Sequence, residues 1–295
     1  MTNSVIHYNP SANEPVISVS QERFDQFVRY SQISSAAYQK SCAAPPQGIK
    51  LVKELSDAAT NTEGFIAVDG AAKEMIVALR GTSNLPDAFT DLNFVQTDYQ
   101  SPGVRECNGC KVHGGFLAAW NSIANETIST VQSELAANPG MRVTVTGHSL
   151  GGALASLATM SLNGSGIETT TFTMGQPRTG NQAYADFVDQ KAPNFVRITH
   201  SNDGVPQIPP RILGYQHHSG EVWQPEKAVP QETFQCEGQE PGDCNNSVPG
   251  LGVNLAHLSY MGVQMGDLPG NAKICGDEEK GLLGTLLGFV GVGTT

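Results

Sequence analysis

The sequence predicts an α/β fold, a central and mostly parallel sheet flanked by helices, and three observations carry that expectation. Short β-branched runs alternate with helical patterns between residues 116 and 200. Two further runs near the start lie close enough to form a hairpin. The apolar run "RVTVT" passes through Gly147-His148-Ser149-Leu150-Gly151 into the small-residue stretch "GGALASLATMSL". Strand–helix alternation builds parallel sheets, and a hairpin adds an antiparallel edge.

In chain order, residues 21–40 place Phe24, Phe27, Val28, Ile33 and Tyr38 near helical spacing, which predicts an amphipathic helix. "GFIAVD" and "KEMIVALRG", separated by Gly-Ala-Ala, predict the hairpin. Residues 116–137 read as a helix stopped by Asn138-Pro139-Gly140. "MRVTVTG" is a buried strand; "TTTFTMG" and "NFVRITH" are further strands, with the helix-like "NQAYADFVDQ" between them. No linker interrupts this pattern, so one domain is expected over residues 1–275. The remainder, 276–295, is an acidic patch followed by Gly-interrupted Leu, Phe and Val. A frayed end is expected there. A cover for an apolar surface, a lipid contact weakened by its glycines, or a lipid-anchor signal are the alternatives.

Composition narrows the partners. The chain has 295 residues and a net charge of −11. Without a basic face it is not expected to bind nucleic acid or to dock on anionic membranes through charge. No run approaches the ~18 apolar residues of a membrane span. An uncharged substrate, or an uncharged lipid surface met through apolar contacts, fits better. The polar start "MTNSVIHYNPSANEP" lacks the apolar core of a signal peptide, so a secreted protein is expected to carry its signal outside this numbering. Sequons at Asn125, Asn163 and Asn245 permit glycosylation.

Six cysteines, an even count, are compatible with three disulfides and an oxidising compartment. Cys107-Asn-Gly-Cys110 has the spacing of half a zinc site or of a redox pair. No second pair stands at ligand spacing, and the motif sits in a loop rather than between a strand and a helix. A small structural disulfide is the better reading. No metal or cofactor is expected.

Gly147-His148-Ser149-Leu150-Gly151 matches the Gly-x-Ser-x-Gly nucleophile elbow. A tight strand-to-helix turn needs glycines two positions either side of the serine, where side chains would collide with backbone. The helix start then aims N–H groups at developing negative charge. The bland alternative is a serine that merely caps a helix. A nucleophilic serine needs a base, and the base an orienting carboxylate, in the chain order Ser, Asp/Glu, His. Of His200, His217, His218 and His257, the last leaves room for the acid. The adjacent His217 and His218 read as surface or structural. Asp203 follows the strand "NFVRITH" at the sheet end where such sites form. Asp186 and Asp189 lie on a predicted helix and read as solvated.

Across residues 30–262, "SSAAY", "ALRGT", "CNGCKVHGGF", "VTGHSLGGALA", "GQPRTGN", "RITHSNDGVPQIPP" and "AHLSYMG" together resemble the fungal class 3 lipases, a group that includes feruloyl esterase A. The resemblance implies an α/β-hydrolase fold with a short helical lid, and the triad Ser149, Asp203 and His257. It implies oxyanion donors at Thr82, otherwise a strand-end turn residue, and at the backbone of Leu150. It also implies pairing of Cys42 with Cys275, Cys107 with Cys110, and Cys236 with Cys244. A secreted, monomeric carboxylic-ester hydrolase working at an oil–water interface is the expected whole.

The segment after Thr82 should separate the two behaviours of this family. Leu85, Phe89 and Leu92 fall on one face of a short helix, with Asn84 placed to cap it, Pro86 in its first turn, and Asp87 and Asp91 on the wet face. That pattern predicts an apolar-faced lid; routine surface packing is the plain alternative. Several motifs resemble feruloyl esterase A more than the classical lipases. Yet where that enzyme has pocket tyrosines this chain has Phe94 and Phe116, which lack hydroxyls for a phenolic substrate. Lipid esters are therefore expected over feruloyl esters. An inactive relative that only binds lipid is the reading of another class.

Overall fold

The computed structural model describes residues 6–7, 16–39, 42, 45–82 and 93–266. Sixteen strands occur among them: β1 Ile6–His7, β2 Val16–Ser18, β3 Lys50–Asp57, β4 Thr62–Asp69, β5 Glu74–Leu79, β6 Gln96–Asp98, β7 Lys111–His113, β8 Arg142–His148, β9 Thr169–Met174, β10 Gly180–Asn181, β11 Phe195–His200, β12 Tyr215–Gln216, β13 Glu221–Gln224, β14 Phe234–Gln235, β15 Ser259–Tyr260 and β16 Val263–Gln264. The α-helices are α1 Gln21–Ala36, α2 Gly114–Ala137, α3 Leu150–Gly164 and α4 Gln182–Lys191.

Ten strands form one sheet in the order β1-β2-β14-β13-β11-β9-β8-β5-β4-β3. From β5 through β8, β9 and β11 to β13 every pairing is parallel. The early hairpin adds an antiparallel edge, as expected, with β3 outside it. The opposite edge is antiparallel as well, through β14, β2 and β1. Neither outer strand was assigned from sequence. The hairpin turn closes because Asp69 Oδ1 accepts from the N–H groups of Ala71 and Ala72, each at 2.9 Å.

The period-2 pleat divides the core in two. Met75, Val77 and Leu79 of β5 face a cluster with Trp120 and Ile123 of α2 and Leu154 and Leu157 of α3. Ile76 and Ala78 face the other way, onto Phe24, Phe27, Tyr30 and Ile33 of α1. Both faces of β5 are thus covered, which explains its uninterrupted apolar run. The apolar stripe of α1 lies where the helical spacing put it; the helix stops at Ala36 rather than running to 40. Ser20 opens it, its side chain accepting from Arg23 N–H at 3.3 Å. Among the described residues no helix is long and apolar enough to cross a membrane.

α2 begins at Gly114, two residues before the expected start, because His113 caps it. Its Nδ1 accepts from the N–H groups of Gly115 and Phe116 at 3.1 and 3.3 Å. A ring nitrogen can accept only while unprotonated, so the cap requires neutral His113. Burial pushes its pKa from the ordinary 6.5 down to about 4. Between those values the unfolded chain binds a proton that the folded chain does not, so stability falls as pH falls through this window. We expect the urea midpoint to drop from pH 6.5 to pH 4, and to drop less in His113→Asn, whose amide oxygen caps without titrating. Equal slopes in the two proteins would contradict this account of the cap.

Candidate active site

The glycines around Ser149 make room for backbone, not for function in themselves. A Cβ on Gly147 would lie 2.2 Å from the carbonyl oxygen of Gly151, and one on Gly151 would lie 2.1 Å from that of Leu79. The start of α3 is therefore pressed against the end of β5. Ser149, between them, takes φ 59° and ψ −129°, a left-handed conformation that non-glycine residues rarely adopt. Its N–H is held by Met174 O at 2.9 Å. The side chain makes no cap bond to α3. The helix-cap reading of Ser149 is thereby set aside.

That side chain instead donates to His257 Nε2 at 2.9 Å, and His257 Nδ1 donates to Asp203 Oδ2 at 2.8 Å. Asp203 stands just past the end of β11, His257 just before β15, so three distant segments meet at the C-terminal end of the parallel strands. All three side chains are 0% exposed. The carboxylate is held by two further donors: Val205 N–H to Oδ1 at 2.9 Å, and the Tyr260 hydroxyl to Oδ2. Burial, with Asp203's negative charge next, drives the Tyr260 pKa far above its ordinary value, so its proton stays in place.

Gly175 lies beneath this cluster at φ +56°; a Cβ there would meet Tyr260 Oη at 2.8 Å and both Asp203 Oδ2 and His257 Cε1 at 3.0 Å. The loop carrying Asp203 is bracketed from the 244–254 segment. Asn245 Nδ2 donates to the carbonyls of Ser201 and Asp203, each at 3.2 Å, and Asn254 Nδ2 to that of Asn202 at 2.7 Å. Asn245 belongs to one of the three sequons, yet it is 3% exposed and its amide is used in this bracket.

The remaining expected residues fall as follows. Leu150 is the first residue of α3, and Thr82 is half-buried beyond β5. Leu85, Phe89 and Leu92 lie outside the described residues. Phe94 is half-buried with its ring edge toward His113, and Phe116 is buried with its ring stacked on His113 at 4.0 Å. Disulfides join Cys107 to Cys110 and Cys236 to Cys244. Cys42 is also disulfide-bonded, and its expected partner Cys275 lies outside the described residues.

Some expectations need correction. Of the two readings of His217 and His218, surface or structural, the surface one falls and the structural one holds: both are buried, donating to the carbonyls of Pro206 and Ser219 at 2.8 and 2.9 Å. Asp189 is not simply solvated, since it accepts from the Ser219 backbone at 2.8 Å and hydroxyl at 3.0 Å. Tyr260 and Asn245 were missed as supports of Asp203. Tyr260 stands three residues after His257 inside "AHLSYMG", but nothing in the sequence says that a buried carboxylate will need a hydroxyl there. A cleft of about 1010 Å³ bordered by Cys107, Met160 and Phe187 contains none of the triad.

The arrangement can move a proton from a hydroxyl to an imidazole whose far nitrogen is held by a buried carboxylate. Because Gly175 leaves no room for a methyl group under that carboxylate, we expect Gly175→Ala to lower kcat by about 100-fold, the scale of an ångström's misplacement. Its cost in thermal stability should be smaller in proportion. Ester hydrolysis kinetics beside a thermal melt will check this; unchanged kcat in a folded variant would contradict the packing argument.

Comparison with known proteins places this geometry among relatives. The family model described as Lipase (class 3) matches residues 76–213. The chain is 37% identical over 210 residues to secreted mono- and diacylglycerol lipase 1 of Fusarium solani, matching 68% of this chain and 60% of that protein's length. It is 32% identical over 269 residues to a lipase of Rhizopus niveus, matching 85% of this chain and 67% of the relative. The crystal structure of lipase from Rhizopus microsporus var. chinensis superposes with a TM-score of 0.77 at 33% identity, covering 88% of this chain and 95% of that one. On the strength of fold, elbow and sequence together, the chain belongs to the class 3 lipase family.

Proposed function

We propose that the protein is a serine carboxylic-ester hydrolase, a lipase that acts on acylglycerols. The observation that carries this reading is the unbroken chain from Ser149 Oγ to His257 Nε2 at 2.9 Å and from His257 Nδ1 to Asp203 at 2.8 Å, built on a serine that its own helix does not use as a cap. Ser149 attacks the ester carbonyl as its proton passes to His257 Nε2. Asp203 holds the ring and stabilises the imidazolium without taking its proton. The N–H groups of Thr82 and Leu150 receive the tetrahedral oxyanion. His257 then protonates the departing alcohol, leaving an acyl-serine. Water, deprotonated by His257, releases the acid and restores Ser149. Each step uses only side chains, backbone N–H groups, water and the ester.

Two properties support lipid esters over other esters. The net charge of −11 offers no attraction to anionic substrates. The Fusarium and Rhizopus relatives are named lipases, the first for mono- and diacylglycerols. Ser149 is 0% exposed, so an ester must gain entry by a rearrangement. The spacing of Leu85, Phe89 and Leu92 on one face of a short helix is what supports reading residues 83–92 as the lid. The protein is read as secreted and monomeric, with its disulfides suited to an oxidising medium.

The test is the initial rate of tributyrin hydrolysis across its solubility limit, with Ser149→Ala as blank. A sharp rise once droplets form is the expected result. Saturation below the limit with no further rise would replace the interfacial lid by an open-site esterase, with phenolic esters as the next substrates. A rate no higher than the blank would overturn tributyrin hydrolysis, leaving a narrow specificity or an inactive lipid-binding relative.

A further inference from the structure

We propose that His148 and Tyr38 form a positioning pair that ties the backbone of His257 to the strand end preceding Thr82. The inference rests on the reading of Ser149 as nucleophile and His257 as base. It begins from a residue the mechanism leaves unused. His148, immediately before Ser149, is 0% exposed, and its ring centroid lies 4.4 Å from that of His257. Such burial for an imidazole favours partners at both nitrogens.

Both exist, and together they fix the proton. His148 Nε2 lies 2.9 Å from the main-chain oxygen of His257. A carbonyl can only accept, so Nε2 carries the hydrogen. In a neutral ring Nδ1 then holds a lone pair, and the Tyr38 hydroxyl, 2.7 Å away, donates to it. Tyr38 is 3% exposed. Gly81 is pressed so close that a Cβ there would lie 2.1 Å from the Tyr38 hydroxyl and 2.7 Å from the His148 carbonyl oxygen. Donation thus runs in one sense from Tyr38 to His148 Nδ1 and from His148 Nε2 to His257, with Gly81 packed against the Tyr38 hydroxyl.

The pair joins three segments that also bear the reacting groups. Gly81 precedes Thr82, the assigned oxyanion donor; His148 precedes the nucleophile; His257 is the base. Asp203 aims the His257 ring through Nδ1, while His148 holds the main chain from which that ring hangs. A neutral His148 is part of the design, because the mechanism forms an imidazolium on the adjacent ring and a second cation there would oppose it. Burial, with His257's charge next, depresses the His148 pKa well below 6.5.

Three variants with one spectroscopic readout test the inference: Tyr38→Phe, His148→Gln and His148→Leu. Tyr38→Phe should lower kcat by about tenfold with KM within about twofold, the pattern of lost transition-state alignment rather than lost binding. Glutamine retains an N–H that can reach the His257 carbonyl and leucine does not, so His148→Gln should recover part of the kcat that His148→Leu loses. In the wild type, ¹⁵N NMR should show His148 as the neutral ring protonated at Nε2. Folded Tyr38→Phe with unchanged kcat, or a His148 ring protonated at Nδ1, would overturn the pair. If the wild type hydrolyses no ester, the proposed function fails, and the ¹⁵N shift of His148 Nδ1 in wild type and Tyr38→Phe decides this inference by itself: a shifted Nδ1 resonance in the variant, with Nε2 still protonated, supports it, and an unchanged Nδ1 resonance overturns it.

Discussion

Everything at the site depends on one turn. Ser149 is held at a positive φ by β8 arriving and α3 leaving within a few residues, with the start of α3 jammed against the carbonyl end of β5. Single residues in such conformations cost on the order of 1–3 kcal/mol. Here the surroundings leave no other choice. The Ser149 N–H is fixed to Met174, the flanking glycines admit no side chain, and the α3 residues behind it are buried against both neighbouring strands. The turn keeps Oγ off its own helix and presents it to His257. It also sets Leu150 N–H at the head of the helix, where no earlier turn uses it. The strain and the reactivity share one cause.

A second constraint is electrostatic. Asp203 is a carboxylate with 0% exposure, and an isolated buried charge costs several kcal/mol even after relaxation. Donors from three directions, Val205, Tyr260 and His257, offset that cost. The loop itself is fixed by Asn245 and Asn254. The Cys236–Cys244 disulfide ends one residue before Asn245, so the cross-link and the bracket act on the same short segment. The charge that will stabilise the His257 imidazolium is thus secured before any ester arrives, which is what preorganisation means in energetic terms.

Legibility in the sequence followed physical cause. Gly147, Ser149 and Gly151 were readable because sterics at a tight turn permit few residues. The central strands were readable because burial on both faces demands continuous apolar runs. β3, "KLVKELSD", escaped notice because an edge strand needs apolar groups on one side only and carries charge on the other. The two-residue strands β12, β14 and β15 are too short to hold any periodicity. Asp203 and His257 needed chain order and a family resemblance, since their meeting is a tertiary event across more than fifty residues. His148, Tyr38 and Tyr260 were in plain view within quoted motifs, and Asn245 within a sequon. Their roles could not be read there, because a hydrogen-bond network exists only once the backbone has brought its members together.

The central claim, that Ser149 is a nucleophile driven by His257 and Asp203, is tested most directly by a p-nitrophenyl alkylphosphonate, which phosphonylates an activated serine and expels one nitrophenolate. The account predicts release of about one equivalent per chain, with tandem mass spectrometry placing the added mass on Ser149, and its near-complete loss in His257→Ala. Release with the label on another residue, or labelling of Ser149 that is indifferent to His257, would contradict it.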